Sequence, residues 1–527
     1  MPESFYICTA IDYTNGAPHI GHAYEKVLAD VIARYRRLKG EDVFFLTGVD
    51  QHGQKVQQSA EQAGISPEKF VAQNTAKFVA LWKKLDIRYD GWAATIEPQH
   101  KKCVQKILAR LHDEGQLYKA SQGGHYSVRQ EQFLTDKERG PDGEFGPEWG
   151  KVEYREEENY YFKLARHKEW LLGLLDKDDD LITPAFRRAE LRNAVAKLSG
   201  DLCVSRPKAR LSWGIEFPFD PEFVTYVWFD ALVNYISFAP GGYDPTRSTI
   251  NDQPSTFREW WPATIVIGKD ILIPAHGIYW MIMLHALGFL DDEMPRLVVH
   301  GWWNISGAKM SKSLGNVVDP DKLADSYGAE ALRYYLMADI STTGKDAEFS
   351  EERLIVRYNT ELANSLGNLL NRTINMAQRY RDGVLRKVAV EHAALARLAE
   401  RVPEICSRYS EAMVAFQVDA ALREALALAG QCNLLVESMA PWKLAKNPAE
   451  TDLLDAVLYH LAEAVRIIAI LVAPVLPEAA KGIFVQLNCA AELSLGQTDW
   501  GRLLDGHRLG TARPLFPRIE TAPAGRG

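Results

Sequence analysis

"SFYICTAIDYTNGAPHIGHAYEKVLADVIARYRRLKGEDVFFLTGVD" covers residues 4–50 and contains the alternation that sets the fold. Residues 4–14 are short, rich in aromatic and β-branched side chains, and end in "NGAP" turn chemistry, which predicts a buried strand. The next stretch places Val27, Leu28, Val31, Ile32, Tyr35 and Leu38 at helical spacing and stops at Gly40. Residues 42–50 predict a second buried strand, and "QHGQKVQQSAEQAG" opens another helix. Strand, helix, strand, helix at this spacing implies a parallel α/β sheet with right-handed crossovers.

A second βα set follows much later. "TIVIGKDILI" (residues 264–273) is strand-like, "GIYWMIMLHALG" is an apolar helix, and "RLVVHGWWNI" (residues 296–305) is a further strand. Between the two sets, residues 115–217 are rich in Glu, Lys, Gly and Tyr, which suggests an inserted domain with a small mixed sheet. From residue 347 onward the pattern is almost purely 3.6-periodic, as in "ALREALALAGQCNLLVESMA" and "LLDAVLYHLAEAVRIIAILVA", so an α-bundle is expected. The resulting division is 1–114, 115–217, 218–346, 347–500 and a tail at 501–527.

With 47% hydrophobic and 25% charged residues, the 527-residue chain has the composition of a soluble globular protein. It contains no unbroken apolar run of the roughly 18 residues that a membrane span needs, and the N-terminus lacks the layout of a secretory signal. The expectation is a cytoplasmic protein with no membrane partner. Six cysteines at positions 8, 103, 203, 406, 432 and 489 form no CxxC pair, which fits reduced thiols better than a zinc knuckle or a disulfide framework. A net charge of -8 argues against indiscriminate coating of nucleic acid, but leaves room for local basic surfaces.

Two short motifs carry the chemistry. "PHIGH" (residues 18–22) falls where the first strand hands over to the first helix, the carboxyl end of a parallel strand, where open α/β sheets bind ligands. Gly21 would let a nucleotide approach the backbone. His19 and His22, one turn apart, could face a phosphate at the helix N-terminus. Read alone, the two histidines could equally be a metal pair or helix caps. "KMSKS" (residues 309–313) puts Lys309 and Lys312 on a loop bracketed by Gly307 and Gly315. A lone lysine pair is usually just solvated. Both motifs in this order, each beside a βα crossover, are very improbable by chance.

Together they resemble the class I aminoacyl-tRNA synthetases, and within them the methionyl-tRNA synthetase family. "DYTNGAPHIGHAYE", "FLTGVDQHGQKV", "TYVWFDALVNYISF", "VIGKDILIPAH", "VVHGWWNISGAKMSKSLGNVVDP" and "APWKLAKN" are similar to that family's blocks in that family's order. The resemblance covers nearly the whole chain. It implies a Rossmann-like catalytic domain with an inserted connective (acceptor-stem) domain, followed by an all-α anticodon-binding domain.

It also implies the reaction: methionine and ATP form methionyl-adenylate and pyrophosphate, and the methionyl group then passes to the 3′-terminal adenosine of tRNA(Met), initiator tRNA included. By the same resemblance His19, His22, Lys309 and Lys312 are the catalytic residues. Lys309 and Lys312 would hold the β,γ-phosphates, and Lys312 would meet the charge on departing pyrophosphate. ATP would be bound by Gly21, His22, Lys269, Asp270, His300, Gly301, Lys309, Met310 and Lys312, with Mg²⁺ travelling with the nucleotide. Methionine would be bound by Asp50, through its ammonium, and by Ile11, Tyr13, Trp228, Ala231, Leu232, Tyr235, Ile271 and His276. Arg206 in "VSRP" matches a family arginine near the active site. Asn364, Asn368, Arg372 and Trp442 match the readers of a CAU anticodon. Their spacing would place the first three on one helix face, with Arg379, Arg381, Arg386 and Lys387 near enough to follow phosphates.

Two departures stand out. The family's pocket histidine lies four residues after the isoleucine of "GKDI", where this chain has Ala275 followed by His276. A one-residue insertion around Pro274 is the simplest account. The region where many relatives carry a four-cysteine zinc knuckle reads "GGHYSV" here, so no structural zinc is expected. A leucyl, isoleucyl or valyl enzyme would need a much larger editing insert than residues 23–308 allow. A nucleotidyltransferase acting without tRNA would not need the helical region, and a monomer is expected.

Overall fold

A computed structural model of the chain describes residues 3–128, 132–134, 136–140, 142–305, 308–309, 318–339, 344–490 and 493–520. At its centre is a seven-stranded sheet. β1 (Ser4–Thr9) lies between β3 (Asp42–Asp50) and strand Thr264–Gly268, parallel to both. Strand Arg296–His300 follows, and Ile182–Thr183 forms the edge. Strand Gly91–Ala94 pairs with β3 on its other side, while β2 (Asp12–Tyr13) pairs with the end of β3 on the β1 side. Helices cover both faces, which is why β1, β3 and Thr264–Gly268 read as continuous apolar runs rather than alternating ones.

The first crossover is α1 (Ile20–Lys39), ended by Gly40 in the left-handed region at φ 95°. Glycine adopts that conformation without steric cost, so the sequence-level stop at Gly40 has a direct structural cause.

Three expected strands are shorter than their apolar runs. The run 4–14 breaks after Thr9, and Asp12–Tyr13 resumes as β2 along the same side of β3. The ammonium of Lys26 takes the Ala10 carbonyl and the Asp12 carboxylate, each at 2.8 Å, so a side chain occupies the backbone acceptor at the break. The run 264–273 is a strand only to Gly268. A helical turn at Lys269–Ile271 and a π-helical segment at Leu272–Trp280 follow. Short apolar stretches cannot be assigned by periodicity alone. The run 296–305 divides at Gly301, and Trp303–Ile305 joins a separate small sheet with Ala308–Lys309 and Ala347–Glu348. A Cβ at Gly301 would sit 2.1 Å from the Lys345 carbonyl oxygen, so only glycine permits the crossing.

The stretch between the two halves carries a sheet ordered Gln132–Leu134, Leu117–Ser127, Val152–Phe162 and Leu202–Cys203. Its described pairings are all antiparallel rather than mixed. Within this stretch Ile182–Thr183 returns to the main sheet.

From Glu351 onward the described residues are helical or wrap the helices. Helix Thr451–Val472 is buried almost throughout from Leu454 and forms the axis of the bundle. In it Glu463, buried, accepts the N–H groups of Gly501, Arg502 and Leu503, while Arg466 donates to the carbonyls of Gln497 and Asp499. This pair ties the C-terminal segment down. Among the described residues no helix is long and apolar enough to cross a membrane.

The bundle meets the catalytic half at Arg333, on helix Ala329–Ala338. Its guanidinium is fully buried and donates to the carbonyls of Leu85, Pro474 and Val475, each at 3.0 Å, and pairs with Asp30 of α1 at 2.7 Å. One side chain therefore joins α1, the end of helix Pro67–Lys84 and the turn between the last two long helices.

Candidate active site

The N-terminus of α1 is capped by its own histidines. His19 is the cap residue, and its Nδ1 accepts the Gly21 N–H at 3.1 Å; His22 Nδ1 accepts the His19 N–H at 3.0 Å. The rings stack at 3.8 Å between centroids. The capping alternative is thus realised, and it has a chemical consequence. A neutral imidazole whose Nδ1 accepts must carry its proton on Nε2. Both rings therefore offer a fixed Nε2–H donor at the positive end of a 20-residue helix whose first turn holds no acid. A Cβ at residue 21 would press against the His19 ring at 3.0–3.1 Å, so Gly21 keeps the space open.

These histidines line a cleft of about 450 Å³ at the carboxyl ends of the central strands. The predicted amino-acid residues line the same cleft: Ile11, Tyr13, Asp50, Trp228, Ala231, Leu232, Tyr235, Ile271 and His276. Asp50 closes β3, buried, with the Thr95 hydroxyl and the His52 N–H 3.5 and 3.4 Å from Oδ1.

His276 reaches this wall despite its shifted position. The segment Leu272–Trp280 is not one continuous helix: Ile273, at φ -116° and ψ 122°, breaks it just before Pro274. The expected insertion around Pro274 thus falls beside a break in the helix. His276 Nδ1 lies 2.9 Å from the Ile271 carbonyl and Nε2 2.7 Å from the Tyr235 hydroxyl. A carbonyl only accepts, so the imidazole proton sits on Nδ1 and Tyr235 donates to Nε2.

Burial opposes a charge on this ring and pushes its pKa down to about 4. The folded value lies below the unfolded one, so the folded protein binds fewer protons between the two. Stability from this ring is therefore full above pH about 6.5 and is lost as pH falls toward 4. Methionine affinity measured by calorimetry is expected to stay level from pH about 7.5 down to about 5. A loss centred near pH 6.5 would mean that the ring titrates like an ordinary histidine.

On the nucleotide side Gly268, Asp270, His300 and Gly301 line the cleft. His300 Nδ1 is 2.8 Å from the Gly301 carbonyl and Nε2 is 3.2 Å from Glu25. Lys269 stands next to Gly268 and Asp270 of that wall. Its ammonium pairs with Asp346 at 2.6 Å and lies 4.0 Å over the ring of Trp302, itself a cleft-lining residue. The Lys309 side chain, Met310 and Lys312 lie outside the described residues. Arg206 is buried, with its guanidinium 4.4 Å over the ring of Tyr226, itself a wall residue.

Sequence reasoning missed a charged group in the cleft floor. Lys26, fully buried, bridges Asp12 and Glu25 at 2.8 Å each, and both carboxylates line the cleft. Burial pushes the Asp12 carboxyl up to about 7, although Lys26 works against it, while Lys26 and His300 hold Glu25 below its ordinary range. "EK" one turn after "HIGH" has the look of a solvated helix face. The usable signal was an Asp inside an apolar run with a Lys to meet it. Lys55, at the start of helix Gln54–Gln62, also lines the cleft and was not anticipated.

Away from the cleft, Asn364 and Asn368 are exposed, but only Asn368 belongs to helix Asn368–Arg381. Asn364 sits in the π-helical segment Tyr358–Gly367, so the expected α-helical face is interrupted between them. The Arg372 guanidinium pairs with Glu437 at 2.7 Å and lies 5.9 Å from the Trp442 ring, which is 37% exposed. Arg381 and Lys387 are engaged internally, with Asp455 and with the Gly501 carbonyl, and Arg386 lies 4.0 Å from Asp505.

Helix-capping histidines stand across a strand-end cleft from a buried aromatic slot, with a second βα set completing the floor, an arrangement that fits the expected class I tRNA synthetase. A family model described as tRNA synthetases class I (M) matches residues 5–142 and 149–374. A second, described as the anticodon binding domain of methionyl tRNA ligase, matches residues 387–524. Methionine–tRNA ligase from Deinococcus radiodurans is 40% identical over 98% of this chain and 75% of that protein. The Caldanaerobacter subterraneus ligase is 41% identical over 99% of this chain and 80% of its own length. The fold is similar to that of Mycobacterium tuberculosis methionyl-tRNA synthetase in complex with methionyl-adenylate: TM-score 0.91, 35% identity, covering 98% of this chain and all of that one. The chain belongs to the methionyl-tRNA synthetase family of enzymes.

Proposed function

We propose that this enzyme activates methionine with ATP and transfers the methionyl group to the 3′-terminal adenosine of tRNA(Met), initiator tRNA included. The observation that carries the first half is one cleft lined at once by His19 and His22 and by the Asp50–Tyr235–His276 slot. In this reading Asp50 takes the substrate ammonium. Aromatic edges of Tyr13, Trp228 and Tyr235 meet the thioether, each such contact being worth about 0.3–1.5 kcal/mol. The methionine carboxylate, already ionised at neutral pH, attacks the α-phosphorus in line. The bond from that phosphorus to the bridging oxygen breaks, and pyrophosphate leaves with the electron pair.

The Nε2–H groups of His19 and His22 stabilise charge on the α-phosphate oxygens, while Lys309 and Lys312 attend the β,γ-phosphates. Asp270 and the Gly301 backbone hold the nucleoside. Mg²⁺ enters with the triphosphate and neutralises part of its charge. The region 115–217 meets the acceptor stem, and Asn364, Asn368, Arg372 and Trp442 read the anticodon.

ATP–pyrophosphate exchange tested with each amino acid decides the first step, and methionine alone should support it. Exchange with leucine instead, or with none, overturns the reading. Trp442→Ala is expected to raise KM for tRNA by about tenfold, the scale of one lost base stack, and to leave exchange intact. Loss of exchange would assign Trp442 to folding.

A further inference from the structure

Behind the amino-acid slot, one buried carboxylate joins the elements that form its walls. Asp230 lies in the short helix Val227–Leu232, between the wall residues Trp228, Ala231 and Leu232. It is fully buried; His52 and His100 are 2% and 0% exposed. Asp230 Oδ2 is 2.7 Å from His52 Nδ1, and Oδ1 is 2.8 Å from His100 Nε2. His100, on helix Pro98–Asp113, has its Nδ1 2.8 Å from the Ser237 hydroxyl. His52 stands two residues beyond Asp50, and its N–H points at Asp50 Oδ1 from 3.4 Å.

The protons can be assigned from the partners. A carboxylate only accepts, so His52 donates from Nδ1 and His100 from Nε2, leaving His100 Nδ1 to accept from Ser237. Burial alone would raise the Asp230 carboxyl, but the two imidazoles more than offset this and hold it at about 2. On the other side of β3's exit, the Trp213 indole donates to the Gln51 carbonyl at 2.5 Å, and its ring meets the His52 ring edge-on at 5.6 Å.

Such a network is costly in a dry core, where apolar side chains would pack as well. What it supplies is geometry. We infer that Asp230 is a positioning residue for the amino-acid substrate: through His52 it sets the spacing between the apolar wall at Trp228–Leu232 and the carboxylate of Asp50. That spacing decides whether a substrate can place its ammonium on Asp50 while its side-chain end fills the slot. The inference rests on the assignment of this slot to methionine.

The test is a KM split with a matched rescue, read by ATP–pyrophosphate exchange. His52→Ala removes the link from Asp230 to the Asp50 strand. His52→Asn removes the ring but returns an N–H donor close to the place of Nδ1. KM for methionine is expected to rise about tenfold in His52→Ala and about twofold in His52→Asn, with KM for ATP nearly unchanged in both. A similar rise in KM for methionine is expected for Asp230→Ala, with partial recovery in Asp230→Asn. If Asp230→Ala does not fold, the His52 pair carries the test alone. Equal increases in His52→Ala and His52→Asn would show that ring packing matters and the hydrogen bond does not, overturning the inference. A parallel rise in KM for ATP would overturn it too, as a general loosening of the fold. If the unsubstituted chain shows no methionine-dependent exchange, the assignment of the slot fails first.

Discussion

Replacement of His22 by alanine is expected to lower the exchange rate constant by about 10²–10³, the range found when one donor to a developing oxyanion is removed. KM for methionine should change little, because the slot is formed by other elements. The size of the effect follows from how the ring is held. His22 Nδ1 is committed to the His19 N–H, so the proton is on Nε2 and the ring cannot turn without losing its bond. The donor is therefore in place before charge develops, and no reorganisation is needed at the moment of reaction. Two further variants separate capping from catalysis. His22→Asn can still accept the His19 N–H but offers nothing at the position of Nε2. His22→Gln reaches that position but gives up the cap, worth about 1 kcal/mol of helix stability. Glutamine is expected to recover much of the rate and asparagine little. If asparagine recovers the rate and glutamine does not, the histidine acts as a cap alone.

The parts of this site that were legible in the sequence are those set by short-range physics. The stop of α1 at Gly40 follows from a single left-handed residue, and the placing of "HIGH" follows from a strand ending in turn chemistry. The wall residues were found through family resemblance, since an Ile11 or Ile271 in a pocket has the same local signature as one in a core.

What was not legible depends on long-range pairing. Asp12, Glu25 and Lys26 are each ordinary in their local context, and only the fold brings them into one buried cluster. The partner of Lys269 is likewise distant in sequence: Asp346 holds its ammonium. The breaks at Ala10, Gly268 and Gly301 share one cause: an apolar run reports burial, and burial alone does not say where a strand stops. His276 is the converse case. The sequence points to a one-residue insertion around Pro274, and the chain leaves helical geometry at Ile273 immediately before it.

Arg333→Met is expected to destabilise the protein by about 3–5 kcal/mol, the scale of leaving three buried carbonyls without a donor at about 1–3 kcal/mol each. Asp30 would keep Arg34 and the Arg88 N–H, so its charge would not be stranded. The three carbonyls of Leu85, Pro474 and Val475 would lose the Arg333 donor in an interior closed to solvent, and buried polar groups left without partners carry most of the penalty. Methionine fills much of the volume, so lost packing is a smaller part. Because the carbonyls belong to different elements, the damage should be regional: amide hydrogen exchange should quicken together in α1 and helix Pro477–Leu487, while the antiparallel sheet at Leu117–Ser127 stays protected. Adding Asp30→Asn to Arg333→Met should cost less than the two single changes combined, since the pair can be broken only once. Strict additivity would mean that the 2.7 Å contact contributes nothing of its own. The same region bears on activity, because α1 carries His19 and His22 at one end and Asp30 in its middle. Loosening the clamp should therefore lower the exchange rate constant even in the folded fraction, at temperatures well below the transition, and normal exchange in a destabilised Arg333→Met would confine the clamp to holding the two halves together.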